Sequence, residues 1–103
     1  MRIISQDGMI DVPYEMIALH ECDGKIRMNM AGDTGKGTVL AEYSTEAKAR
    51  KAMEMLHEAY ICFSAYKQMS KEQKKILVEV ALENERKAIF GLFQFPADDE
   101  VEV

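Results

Sequence analysis

The chain has no tryptophan, only two prolines and two cysteines, and no apolar run long enough to span a bilayer. Each shortage narrows the reading. Cys22 and Cys62 are too few to form the disulfide framework of a small secreted scaffold, so two free thiols in a cytoplasmic protein are expected. Arg2 and Asp7 interrupt the first residues, so no apolar leader follows Met1, and no stretch approaches the roughly 18 apolar residues of a membrane span. No membrane partner is expected. With little proline, 48% hydrophobic residues and 30% charged ones, the composition is that of a globular chain and not a disordered one. The 103 residues fit a single domain over 1–103.

Basic charge is also in short supply, since the formal net charge is −5. Nonspecific nucleic-acid binding needs phosphate neutralisation by Lys and Arg, so direct nucleic-acid binding is disfavoured and a basic protein surface is the better partner. The acidity is concentrated at the end. Asp98, Asp99, Glu100 and Glu102 lie in a C-terminal tail, residues 97–103, that has no basic residue. What the chain has in abundance is methionine, eight in all. Met fills irregular gaps and adapts to partners. Because most of these positions fall on apolar faces, the core is their expected place.

The first 43 residues read as strands punctuated by turns. Residues 1–6 and 9–12 flank Asp7-Gly8, and residues 16–22 and 25–30 flank Asp23-Gly24. Asp-Gly between apolar runs signals a two-residue hairpin turn, because both central residues must reach positive φ. In the second hairpin this pairs Cys22 with Lys25, His20 with Arg27, Leu19 with Met28 and Ile17 with Met30. Ile17, Leu19, Ile26, Met28 and Met30 then share a buried face, while Ala18, His20, Cys22, Lys25, Arg27 and Asn29 share a wet one. Pro13 ends the earlier ladder, since it has no N–H to donate. Residues 38–43 form the next strand.

A first helix begins at Ser44 or Thr45 as its cap. Ala49, Ala52, Met53, Leu56, Ala59, Tyr60 and Phe63 give it an apolar stripe. A second helix begins at Ser70, with Gln73 three residues on as a capping box, and runs over about 71–89 to Gly91. Residues 92–95 form a last strand, because Phe93 and Phe95 need burial. The expected fold is α+β: a mainly antiparallel sheet of 4–6 strands with two helices packed on one face, in the order β-β-β-β-β-α-α-β. The tail is expected either to fray or to pair at a sheet edge through Val101 and Val103.

No constellation carries chemistry. The loop Gly32-Asp33-Thr34-Gly35-Lys36-Gly37 has Lys after Gly, but Met30 stands where a phosphate loop needs its first Gly, Gly37 stands where it needs Ser or Thr, and a strand follows instead of a helix. It reads as a mobile hairpin loop. His20, Cys22, His57 and Cys62 lack the paired spacing of a zinc site, and are expected as two exposed imidazoles and two partly buried thiols. No Ser or Cys has a local base and orienting group. No catalytic, cofactor-binding or metal residue is therefore assigned, no cofactor is expected, and the protein is read as a non-enzyme. Lys48, Arg50 and Lys51 on the first helix and Lys71, Lys74 and Lys75 on the second read as solvated faces, because each cluster sits near a helix N-terminus and is mixed with Glu.

The acidic residues carry the functional expectation. Asp98, Asp99, Glu100 and Glu102, with Asp7, Asp11, Glu15, Glu21 and Asp23, can form a negative surface that a basic nucleic-acid groove attracts as it attracts phosphates. Residues 1–15, 40–60 and 93–103 (RIISQDG…IDVPYE, LAEYSTEAKARKAMEMLHEAY and FQFPADDEVEV within them) add a context. They resemble small uncharacterised proteins of phages and integrative elements of Gram-positive bacteria. The shared motifs are turns, caps and strands, so they imply no site residues. They do imply a protein that binds and disables a host factor, such as a defence nuclease, in the manner of an anti-CRISPR inhibitor. Two other functions fit the residues. One is a homo-oligomeric assembly protein that associates through a strand edge, the second helix or the set around Met69, Leu92 and Phe93. The other is a small nucleic-acid-binding accessory domain that uses the helix clusters.

Overall fold

A computed structural model describes residues 1–103. Five strands precede the helices and one follows them: β1 (Arg2–Ile4), β2 (Asp11–Pro13), β3 (Ile17–Cys22), β4 (Lys25–Met30), β5 (Thr38–Glu42), α1 (Glu46–Lys67), α2 (Lys71–Val80), α3 (Glu83–Ile89) and β6 (Leu92–Gln94). The class is α+β as expected, but the single sheet is not found. There are two three-stranded sheets, ordered β2-β1-β6 and β3-β4-β5.

The division falls where the chain loses its ladder. β2 ends at Pro13, the Tyr14 amide still donates to the Met1 carbonyl beyond it, and a 3-10 turn over Tyr14–Met16 redirects the chain into the second sheet. Gln6 joins the two sheets. Its amide donates to the Leu40 carbonyl at 2.8 Å, and its side-chain oxygen accepts from the Glu42 amide at 3.0 Å. The first sheet is also mixed and not simply antiparallel, because β6 runs parallel to β1, with Arg2, Ile3 and Ile4 opposite Leu92, Phe93 and Gln94.

The second hairpin forms with the expected register, from Ile17 opposite Met30 to Cys22 opposite Lys25. Asp23 and Gly24 both take positive φ, 53° and 81°, as a type I′ turn requires. A side chain at Gly24 would place its Cβ 2.6 Å from the Tyr43 carbonyl, so the backbone just after β5 passes too close for any other residue. The first hairpin differs. Ile4 pairs with Asp11, leaving residues 5–10 as the connection. Asp7 does not take positive φ. Instead its carboxylate accepts from the Ser5 hydroxyl at 2.6 Å and from the Met9 amide at 2.9 Å, and the Ser5 hydroxyl accepts from the Ile10 amide. Side chains here shape a longer loop that the dipeptide alone does not specify.

α1 is capped by Thr45, whose hydroxyl accepts from the Lys48 amide. Ala49, Ala52, Leu56 and Ala59 form its buried face. Three of the four are alanines, which lets the helix axis approach the strands closely. The core combines Ile3, Ile26, Leu40, Leu56 and Phe95, so both sheets, α1 and the chain end share one interior. Of the methionines, Met28 is buried while Met9 and Met16 are exposed, so the core takes only part of them.

The expected second helix is two helices. The chain turns extended at Ala81 and Leu82, and the Arg86 guanidinium donates to the Val78 carbonyl left open by the break. α2 has the expected Ser70–Gln73 capping box, but buries no residue. It is α3 that packs on α1, through Ala88 and Ile89. The sheets are thus covered by α1, and α2 stands off the body. No helix of the protein is long and apolar enough to cross a membrane.

Candidate functional site

The acidic tail is neither frayed nor paired as a strand. After β6 it forms a 3-10 turn over Asp98–Glu100 and folds onto the start of α1. Asp98 is the anchor. Its carboxylate accepts from the Ser44 amide at 2.7 Å, from the Ser44 hydroxyl at 3.0 Å and from the Lys48 ammonium at 3.1 Å. The Ser44 amide first, and the Lys48 ammonium next, hold the Asp98 carboxyl below the usual carboxylate range. The Tyr43 hydroxyl donates to the Pro96 carbonyl at 2.7 Å, and the Gln6 side-chain amide donates to the same oxygen at 3.1 Å. Burial, with Asp98 and Glu100 nearby, pushes the Tyr43 phenol well above its usual value, so it remains a donor at neutral pH. Val101 is buried beside this clamp and Val103 is exposed.

The four acids therefore divide. Asp98 serves the fold. Glu100 accepts from the Ala97 amide at 2.9 Å and is otherwise exposed. Asp99 and Glu102 are exposed and have no partner within the protein. The N-terminal acids named with them are mostly engaged elsewhere. Asp7 shapes its loop, Asp11 pairs with Arg2, Glu15 pairs with the Met1 amino group, and Glu21 accepts from the Gly24 amide.

Beside the tail lies an open groove of about 600 Å³ between α1, α3 and β6. One wall is the Met55, Glu58, Ala59 and Cys62 face of α1, which repeats at i, i+3, i+4 and i+7. The opposite wall is α3, and the strand β6 runs on into Pro96 and Ala97 along it. Charge on the lining is one-sided. Glu58, Glu85 and Glu100 face Lys87 alone, and the Lys87 ammonium already stands 4.0 Å from Glu83. The groove suits a cationic guest. No histidine lines it, so the Cys62 thiol there faces no imidazole base.

The remaining side chains singled out by type stay apart. No three His, Cys, Asp or Glu residues converge as metal ligands would. His20 and His57 are exposed as expected, but Cys22 and Cys62 are exposed as well, not half-buried. Cys22 is on the wet face of β3, and Cys62 is one turn beyond the buried face of α1. The loop over residues 31–37 joins β4 to β5 and is exposed throughout. The two basic clusters do not join. Lys48 is held by Asp98 and Lys51 by Glu54 at the start of α1, whereas the Lys74 ammonium lies over the Tyr66 ring near its other end. About 25 Å of helix rise separates them.

Sequence reasoning singled out Glu100 but neither Glu58 nor Glu85, and it did not find the groove, which depends on the break at Ala81–Leu82 and on the parallel return of β6. Compared with known proteins, the chain matches no family model, no curated protein and no solved structure.

Proposed function

We propose that this chain is a non-enzymatic protein-binding module whose partner presents a basic surface. The observation that carries the reading is the one-sided charge of an open, ordered surface. Glu58, Glu85 and Glu100 line the groove, Asp99 and Glu102 are exposed in the chain on either side of Glu100, and the single lysine is already faced by Glu83. A surface held this way loses little conformational freedom on binding, because the clamp at Asp98 and Tyr43 has already ordered the tail. An enzyme that handles nucleic acid carries Lys and Arg in its groove, so it is a partner of suitable charge. The resemblance to proteins of mobile elements favours a host-defence nuclease within that class, with the module acting as its inhibitor.

The test is co-purification from a Gram-positive host that carries common defence systems, using tagged wild type beside an Asp99→Lys, Glu100→Lys, Glu102→Lys variant. The reading expects a stoichiometric basic partner that raised salt releases and that the variant fails to retain. Undiminished retention by a folded variant would sink it.

A second reading has its own observation. α2 has no fully buried residue, and Ile76 and Val80, one turn apart, are 60% and 70% exposed. Such a helix also suits self-assembly through a second copy of the chain. Light scattering separates the two: a stable oligomer lost on Ile76→Glu favours assembly, and a monomer favours the first reading.

A further inference from the structure

The groove contains an unpaired strand edge. In the parallel pair of β1 and β6, the Arg2 amide donates to the Gly91 carbonyl at 2.7 Å and the Phe95 amide donates to the Ile4 carbonyl at 3.1 Å. Backbone groups alternate sides along a strand. Gly91, Phe93 and Phe95 therefore turn towards β1, and Leu92 and Gln94 turn their amides and carbonyls the other way. Those groups have no hydrogen-bond partner in the protein. Natural sheets blunt free edges with Lys, Pro or a bulge. β6 is short, three residues with Pro96 soon after, but no such residue interrupts Leu92 to Phe95, and the edge opens into the groove.

The other edges differ. Pro13 blunts β2, and Gln6 bonds to β5. β3 is open along six residues, but the charges beside it are mixed, with Glu15 at its hollow paired to the Met1 ammonium and Arg50 3.6 Å from Glu21. That edge selects no particular guest. The β6 edge does, because its walls combine apolar Met55 and Ala59 with the carboxylates of Glu58, Glu85 and Glu100.

We propose that an extended, basic segment of the partner adds to β6 as a fourth strand of the first sheet. Its backbone pairs with Leu92 and Gln94. Its apolar side chains pack towards Phe93 and α1, and its Lys or Arg side chains reach the three glutamates along their flexible stems. The proposal rests on the protein-binding reading and specifies how that partner is held.

The probe is the acetylated, amidated peptide Lys-Val-Lys-Val-Lys-Val, titrated into isotope-labelled full-length protein by NMR. Two companions accompany it: the Glu-Val peptide of the same length, and the Lys-Val peptide N-methylated on alternate residues. The expected result is amide shifts centred on Leu92 and Gln94, with both companions weaker by about tenfold or more, the equivalent of one or two lost hydrogen bonds. Gln94→Pro removes one outward amide, together with the side-chain bond from Gln94 to the Ser5 carbonyl, while leaving the backbone bonds to β1 in place, and is expected to weaken binding similarly. Glu58→Lys with Glu85→Lys tests the charge by a route that leaves the edge intact, and is expected to do the same. Shifts centred on β3 or α2, equal binding of the N-methylated peptide, or no binding at millimolar concentration would overturn the inference. If co-purification through Asp99, Glu100 and Glu102 succeeds while these tests fail, the binding reading stands and strand addition is wrong. If the Lys-Val peptide binds at β6 but no basic partner co-purifies, strand addition stands and the wider reading fails.

Discussion

α1 and α2 begin alike and end differently. Each is capped by a hydroxyl, Thr45 or Ser70, that accepts from the backbone three residues on, and each has an apolar stripe. α1 buries Ala49, Ala52, Leu56 and Ala59 against the shared core, whereas α2 only half-buries Leu77 and Val78 and exposes Ile76 and Val80. A helical pattern therefore states what a segment can bury, not that it is buried. The difference also divides the molecule by role. α1, with α3 and β6, forms the rigid wall of the acidic groove, and α2 is an outlying arm whose formation depends mainly on its own cap and propensity.

The comparison yields predictions of decreasing size. Leu56→Ala removes a fully buried side chain and should cost about 2–5 kcal/mol in urea unfolding. A loss well below that range would mean that α1 is not the centre of the core. Gly24→Ala is next. It forces a Cβ against the Tyr43 carbonyl at positive φ and should cost more than about 1 kcal/mol, because no L-residue gains from that backbone. The two caps form a matched pair. Thr45→Ala should lower global stability by about 1 kcal/mol, the usual worth of such a cap. Ser70→Ala should leave the unfolding midpoint in place and reduce only helical signal and amide protection in α2. Equal global losses would show that α2 is coupled to the core. Ile76→Gln should shift stability by no more than about 0.5 kcal/mol, as an exposed site does.

The smallest effect depends on pH. Because the folded state holds the Asp98 carboxyl below its ordinary value, the ionised form stabilises the fold above about pH 4, and that contribution is lost as pH falls through the folded value. Wild type should therefore be more stable than Asp98→Asn at pH 7, and the two should converge in acid. A gap that persists unchanged at pH 2 would remove Asp98 from the clamp.

What the sequence made legible was local. The register of the second hairpin follows from Asp23-Gly24 and the alternation beside it, both set within a few residues. Asp7-Gly8 misled because Ser5 and Asp7 offered the backbone side-chain acceptors, which compete with the tight turn. Parallel pairing of β6 with β1 was not legible, since Leu92–Gln94 and Arg2–Ile4 fit either direction and meet across nearly the whole chain. The break at Ala81–Leu82 has no Gly or Pro to announce it. Of the site, the tail acids were read from composition alone, and Glu58 and Glu85 were not singled out. That Asp98 secures α1 while Asp99 and Glu102 stay free could have been suspected only from the orphan amides that Ser44 and Thr45 leave at a helix start.

Native-state hydrogen exchange, resolved by residue in the free protein, tests most directly whether a rigid groove with an open strand edge stands apart from a loose arm. Slow exchange is expected at Leu56 and Ala59 and at Phe93 and Phe95, with fast exchange at the alternate residues Leu92 and Gln94 and throughout α2. Protection at Leu92 and Gln94 equal to that at Phe93, or protection of α2 equal to that of α1, would contradict this division.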